Sequence, residues 1–236
     1  MKRILKAMGA SLFFLPDSVV RTIGFETFSY FGRLFAQPLK PRAGRNLVNL
    51  GCGPHTVSGW INVDFFGAKG IDYGADLRYP LRLETASVDG IFSEHTLEHL
   101  AFRDADRLLA ECYRIMKSGA RIRIVVPDVS LFIASYSSGD ESWFAKWEKL
   151  YFTDSPDAER TQRRLGSPLE ALSFVTQEYG HQSCWDFRTL SNHLRETGFV
   201  EIPRCSVMEG GDSALLVDQD EEDRKFISLY IEAAKA

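Results

Sequence analysis

No stretch of this chain approaches the roughly 18 consecutive apolar residues that a membrane-spanning helix needs. Cysteine is scarce and scattered. The four, at positions 52, 112, 184 and 205, include no C-x-x-C pair, which argues against a disulfide scaffold and against a cysteine-based zinc site. A reducing compartment is therefore expected. Internal repeats and low-complexity tracts are absent too. What remains is an ordinary globular mixture, 44% hydrophobic and 25% charged over 236 residues. That size suits one α/β domain with an elaboration, or at most two small domains, and it excludes disorder, collagen and a coiled coil as whole-chain descriptions.

The net charge of −4 hides an asymmetry. Residues 1–45 hold eight basic and two acidic side chains, a net of +6, leaving 20 basic and 30 acidic ones, a net of −10, in the rest. An acidic body lacks the phosphate-neutralising surface of a nucleic-acid binder, so no nucleic-acid partner is expected. The basic first segment is also rich in Phe, Leu and Ile. It reads as an amphipathic helical arm that packs on the body or lies on an anionic membrane surface. A secretory leader is disfavoured: Lys6 sits beside the apolar stretch 7–15, no A-x-A-like cleavage site follows, and aromatic sequence continues through Phe35. The expected location is cytoplasmic, with the arm peripheral at the inner membrane face.

Pro38 and Pro41 flank a short basic connector, which places the boundary between arm and body near residue 45. From residue 46 onwards, short apolar runs alternate with turns. Strands are predicted over 47–50, 60–66, 71–76, 88–93 and 121–126, with a helix over 104–116. Near-continuous apolar strands of this kind indicate a mostly parallel sheet. Residues 129–180 turn to helical, aromatic sequence and read as an insertion capping one end of the sheet. A helix over 187–196, stopped by Gly198, follows. The stretches 199–208, 213–217 and 226–233 read as strands, joined by an acidic turn at 218–223.

In such sheets ligands bind beyond the carboxyl ends of the strands. The residues emerging there are Gly51 and Gly53, then Asp64, Asp76, the trio Ser93, Glu94 and His95, and finally Asp128. Acids at several strand ends beside a glycine turn suit a ligand with ribose hydroxyls, because one carboxylate accepts two such hydrogen bonds. Thr56 stands where the third glycine of G-x-G-x-x-G would fall, and only residues 54–59 separate the turn from the next strand. That link is too short for the helix that normally holds a pyrophosphate. A dinucleotide is disfavoured, while a nucleoside ligand without phosphates suits the pattern.

Five motifs stand in register: LVNLGCG at 47–53, WINVD at 60–64, GADLRYPL at 74–81, VDGIFSEHTLEHL at 88–100 and ECYRIMKSGARIRIVVPD at 111–128. Together they resemble a class I S-adenosylmethionine-dependent methyltransferase, and are similar to the broad methyltransferase type 11 group, especially bacterial members with a G-W-x-N-x-D second strand. The resemblance covers residues 46–128, and the tail 181–234 is also similar to that group's ending. It implies a Rossmann-like, three-layer αβα domain over 46–236, with a seven-stranded, mostly parallel sheet whose last strand is antiparallel. It also implies S-adenosylmethionine as cofactor. Gly51 and Gly53 would lie beside the methionine portion, Asp64 on the ribose, Asp76 and Leu77 at the adenine, and Ser93 and Glu94 near the methionine or sulfonium end, with Asn49 and Cys52 also counted among the cofactor-binding residues. Cys52 itself reads as a small filler with no catalytic part. The short 54–59 link departs from the group's longer first helix.

Methyl transfer from a sulfonium is a displacement in which charge is dispersed, so positioning and water exclusion supply most of the catalysis. Phe132, Tyr136, Trp143, Phe144 and Trp185 are candidates to close such a site, or simply core. His181, in YGHQSCWDF, is a candidate general base, because imidazole titrates near neutrality. Asp128 is a second candidate, with a helix cap as its other role. His95 belongs either in the substrate pocket or to a local hydrogen bond.

The run from His95 to His99 also matches H-x-x-E-H, in which two histidines on one helix face bind zinc beside Glu98 as base. No third ligand stands at convincing spacing downstream, and no metal is expected. The reading that results is a methyltransferase acting on a small-molecule or glycan acceptor, with O-methylation of a sugar or lipid-linked intermediate as the expected reaction. A zinc hydrolase using His95, Glu98 and His99, and a non-catalytic scaffold or sensor that binds the cofactor, are the rival readings.

Overall fold

The computed structural model describes residues 17–35, 39, 44–65, 69–154 and 165–236. The stretch 7–15, weighed above as a leader, lies outside them. Five parallel strands come first: β1 (Leu47–Leu50), β2 (Ile61–Asp64), β3 (Tyr73–Gly74), β4 (Val88–Glu94) and β5 (Met116–Pro127). Two short strands, β6 (Phe199–Val200) and β7 (Arg204–Cys205), and the long β8 (Ser228–Lys235) complete an eight-stranded sheet. Its order is β3-β2-β1-β4-β5-β8-β6, with β7 also on β8 and β8 antiparallel to β5.

The expected seven strands thus become eight by count, for a local reason. The predicted strand 199–208 is broken where Glu201 takes φ +47° and Pro203 withholds a backbone donor. Its two halves still share one edge of β8, Phe199 opposite Lys235 and Arg204 opposite Ile231. Two other expectations are corrected. The stretch 213–217 is no strand: Asp212 accepts from Ala214 N at 3.1 Å and starts a 3-10 turn, Ser213–Leu215. The acidic turn at 218–223 runs into a short helix, so the last strand starts at Ser228.

Helices α1 (Asp17–Phe35), α2 (Phe102–Ile115), α3 (Val129–Ser138), α4 (Glu141–Lys149), α5 (Pro168–Gln177), α6 (Phe187–Thr197) and α7 (Glu222–Ile227) flank the sheet. In α2, Leu108, Leu109, Cys112 and Ile115 recur at helical spacing and are buried. They join Leu190 and Leu194 of α6 against Val48, Ile91, Ile124 and Ile231, forming the main core. The opposite face carries few helical contacts. Leu47, Phe92, Val125 and Tyr230 are covered there by Leu215, Val207 and Val217 from the loop after β7. Residues 51–60 form turns and no helix, as the short link predicted.

Helices α3, α4 and α5 have their own aromatic core, with Phe132, Phe144, Trp147 and Phe174 buried together and Trp143 packed against them. Trp185 belongs instead to the main core. Among the described residues no helix is long and apolar enough to cross a membrane.

Candidate active site

Strand register places the carboxyl ends of β1, β2 and β4 side by side, Leu50 pairing with Val63 and with Ser93. Gly51 and Glu94 therefore emerge next to Asp64. Gly51 turns the chain with φ +66° and donates to Val63 O at 2.8 Å. Its missing side chain is filled by Thr96, whose hydroxyl also donates to Glu94 O at 3.1 Å. Gly53 takes φ +51° and donates its N–H to Asp64 Oδ2 at 2.8 Å, while nothing lies within 4 Å of where its Cβ would stand. The turn is thus closed against the sheet at Gly51 and open at Gly53. Asn49 is buried and braces the turn by donating to His55 O at 2.9 Å. Cys52 is buried beside it, and burial with the Asp64 charge pushes its thiol up to about 11, so it stays protonated and acts as filler.

Asp76, just beyond β3, is buried and accepts from Arg78 N and Nε, both at 3.0 Å. Ser29 of α1 donates to the same carboxylate. Burial opposes its charge, but the hydrogen bonds from Arg78 and Ser29 outweigh this and hold the carboxyl below its usual range. Arg78 also pairs with Glu26 of α1 at 2.7 Å, and Phe25 stacks on Phe65 with centroids 4.1 Å apart. The arm therefore docks on the β2–β3 end of the strand-end crevice. Leu77 packs against the main core.

At the other end, Ser93 Oγ donates to Leu50 O at 3.2 Å. Glu94 is 8% exposed; Oε2 accepts from Gln219 N at 3.2 Å, and Oε1 has no hydrogen-bond partner among the described residues. Burial pushes this carboxyl up to about 7, with Arg224 pulling the other way.

Past Glu94 lies a cavity of about 310 Å³ lined by His95, Glu98, His99, His181, Arg224 and the aromatic rings of Trp147, Tyr151, Phe174 and Tyr179. His95 takes φ +48°, which aims its ring at Ser228 Oγ, 2.9 Å from Nε2. Glu98 and His99 sit in a 3-10 turn, Leu97–His99. The segment carrying His181 is latched to that turn: Gln182 N and Ser183 N donate to Glu98 O at 2.7 and 3.2 Å, and Gln182 Nε2 donates to His99 O at 2.8 Å. The rings of His99 and His181 meet edge-on with centroids 4.9 Å apart.

His181 Nδ1 lies 2.7 Å from Val175 O, so it is the protonated nitrogen and Nε2 keeps the lone pair. Burial holds His95 and His99 below the usual histidine range. For Glu98, burial works towards protonation, and the neighbouring His95 and His99 outweigh it, so the carboxyl is held low.

The predicted residues thus divide. Gly51, Gly53, Asp64 and Glu94 stand side by side at the strand carboxyl ends, and His95 and His181 line the adjoining cavity. Asp128 takes its other role: fully buried, it caps α3 by accepting from Ser130 N at 3.2 Å, pairs with Arg204, and does not line the cavity. Of the aromatics expected to close the site, Phe132, Trp143 and Phe144 are core of the helical block, while Tyr136 is exposed. The H-x-x-E-H helix does not exist, because His95 lies in the bend after β4 and, of the two histidines, only His99 is in the Leu97–His99 turn. Sequence reasoning missed Thr96, Gln219 and Arg224, for which no local motif gave a signal.

The family model described as a methyltransferase domain matches residues 73–124. No curated protein matches the sequence significantly. Among solved structures, a SAM-dependent methyltransferase from Archaeoglobus fulgidus is 17% identical, with 91% of this chain and 94% of that one covered and a TM-score of 0.46. One from Aquifex aeolicus is 13% identical, covering 84% and 85%, with a TM-score of 0.45. Haemonchus contortus phosphoethanolamine N-methyltransferase 2, in complex with S-adenosyl-L-methionine, is 14% identical, covering 84% and 50%, with a TM-score of 0.44. The family match agrees with the methyltransferase reading over residues 73–124, inside the stretch whose motifs carry the resemblance.

Proposed function

We propose that this methyltransferase acts on a hydroxyl group of a small-molecule or glycan acceptor, a sugar or a lipid-linked intermediate. The observation that carries the reading is adjacency: Glu94 ends the cofactor crevice and His95, the next residue, opens a cavity rich in imidazoles. The crevice suits the cofactor on its own terms. Gly53 leaves open space, Asp64 offers a carboxylate to ribose hydroxyls, and the orphaned, buried Glu94 Oε1 suits a polar or cationic end.

When bound, S-adenosylmethionine supplies a methyl group on a sulfonium; the acceptor oxygen forms the new C–O bond as the C–S bond breaks, with its electron pair left on sulfur. The protein's part is positioning. Gly53 lets the backbone approach, Gly51 makes the turn against Thr96, Asp64 holds the sugar, and the aromatic walls exclude water. His181 Nε2, with its lone pair free, takes the hydroxyl proton.

We further propose that the arm rests on the inner face of a membrane. On α1, Tyr30, Phe31 and Leu34 are exposed, and the segment around them is basic.

Calorimetry with S-adenosylmethionine tests the crevice. Asp64→Ala should weaken binding by about tenfold, the loss of a charged hydrogen bond. Undiminished binding by that variant would remove Asp64 from the site. Release of S-adenosylhomocysteine against a panel of sugar acceptors tests the reaction; binding with no turnover on any of them favours the scaffold role.

A further inference from the structure

We propose that Glu98, His99 and His181 form a binding site for one divalent cation of the zinc, manganese or cobalt type, set in the wall of the acceptor cavity. One ligand-capable atom from each residue lies within 4.8 Å of the other two. A tetrahedral ion with ligands at about 2.0–2.2 Å would draw such atoms to roughly 3.5 Å apart, a small side-chain adjustment. Two imidazoles and a carboxylate suit borderline metals rather than calcium, and three protein ligands leave a position open. The turn Leu97–His99 supplies two ligands; the third comes from 82 positions further along the chain, brought in by the Gln182 and Ser183 latch.

Three features show a site built around something. Glu98 is 2% exposed, and neither of its carboxylate oxygens has an aligned hydrogen-bond donor among the described residues, although His95 Nδ1 approaches Oε1 to 3.2 Å. A buried carboxylate left so is unfavourable without a cationic partner. His181 has its ring tied to a backbone carbonyl, Val175 O, which orients a metal-binding imidazole. His95, held by Ser228, stands behind the carboxylate as an outer partner. Arg224 lines the same cavity and works against a bare cation; Glu98, Glu221 and Asp223 offset it.

This is not a peptidase arrangement, since His95 is not a ligand here. Resting on the methyl-transfer reading, the ion's open position would take the acceptor hydroxyl oxygen and ease loss of its proton. With the ion bound, His181 Nε2 serves as ligand, its Nδ1 being tied to Val175 O, and the acceptor's proton is released to solvent.

The experiment uses the full chain, freed of metal by chelator and titrated with Co²⁺, whose visible absorption reports the ligand set, followed by competition with Zn²⁺. One Co²⁺ per chain is expected, displaced by Zn²⁺. His181→Gln and Glu98→Gln should each weaken binding by about tenfold or more. S-adenosylmethionine affinity, measured in parallel, should stay unchanged in His181→Gln. Absence of saturable binding, or binding unaltered in His181→Gln, overturns the site. That variant alone decides if Glu98→Gln does not fold, since His181 is only half-buried. A chain that binds cobalt and not S-adenosylmethionine upholds the metal site and sinks the methyltransferase reading; the converse result separates them the other way.

Discussion

A Cβ added to Gly51 would lie 2.8 Å from the Cβ of Thr96, in a turn where φ is already +66°. Gly51→Ala meets both a collision and a disfavoured backbone, together worth about 2–5 kcal/mol. Thermal melting should show the loss, and S-adenosylmethionine binding should fall with it. Adding Thr96→Ala removes the contacts with Oγ1 and Cγ2 and should recover part of the collision, leaving the Cβ contact and the backbone part.

Glu94 gives the protein a pH signature. Its carboxyl is raised by burial to about 7 from an ordinary value of 4.5. Between those values the folded chain keeps a proton that the unfolded chain has lost, so stability falls as pH rises through this window and is level above it. The full effect is about 3 kcal/mol at most. Melting curves across the window should show the slope, and Glu94→Gln should flatten it. A cation bound beside Glu94 favours its ionised form. Calorimetry in buffers of different ionisation enthalpy should therefore detect proton release when S-adenosylmethionine binds near neutral pH.

Arg123 and Asp218, both fully buried, form a forked pair with Nε–Oδ1 and Nη2–Oδ2 each at 2.6 Å, and Arg123 Nη1 reaches Glu232 at 3.3 Å. Asp218 also accepts from Met208 N at 2.7 Å, which pins the loop after β7 to the sheet. Asp218→Asn removes the charge of the forked partner and leaves Glu232 as the nearby acid, and should cost about 1–3 kcal/mol. Gln219, the next residue, touches Glu94, so cofactor affinity should drop in the same variant.

For the arm, flotation with anionic vesicles is the measurement. The full chain should float, while Phe31→Asp/Leu34→Asp protein should stay behind, because a charge on the apolar face opposes insertion. Equal behaviour of the two proteins removes the membrane contact.

The parallel half of the fold was legible because β1, β2, β4 and the second half of β5 are short apolar runs closed by a turn residue, and α2 shows its spacing plainly. The C-terminal part was harder. Apolar content at 213–217 looked like a strand, but Asp212 capped a turn there, and Glu201 with Pro203 broke the run at 199–208. In the crevice, the strand-end acids could be read directly. The cavity could not, because its histidines meet through contacts between residues more than 80 positions apart, and no pattern of period 2 or 3.6 encodes such a meeting. His181 was visible only as an isolated imidazole, and Thr96 only as a link between more conspicuous neighbours.

The latch between residues 182–183 and the 97–99 turn rests largely on peptide groups, with both main-chain amides sharing the carbonyl of Glu98. Exchanges of the rings that wall the chamber leave this tether in place. On the proposed reading, the cavity could then be retuned towards new acceptors by side-chain replacement alone, with no rerouting of the polypeptide.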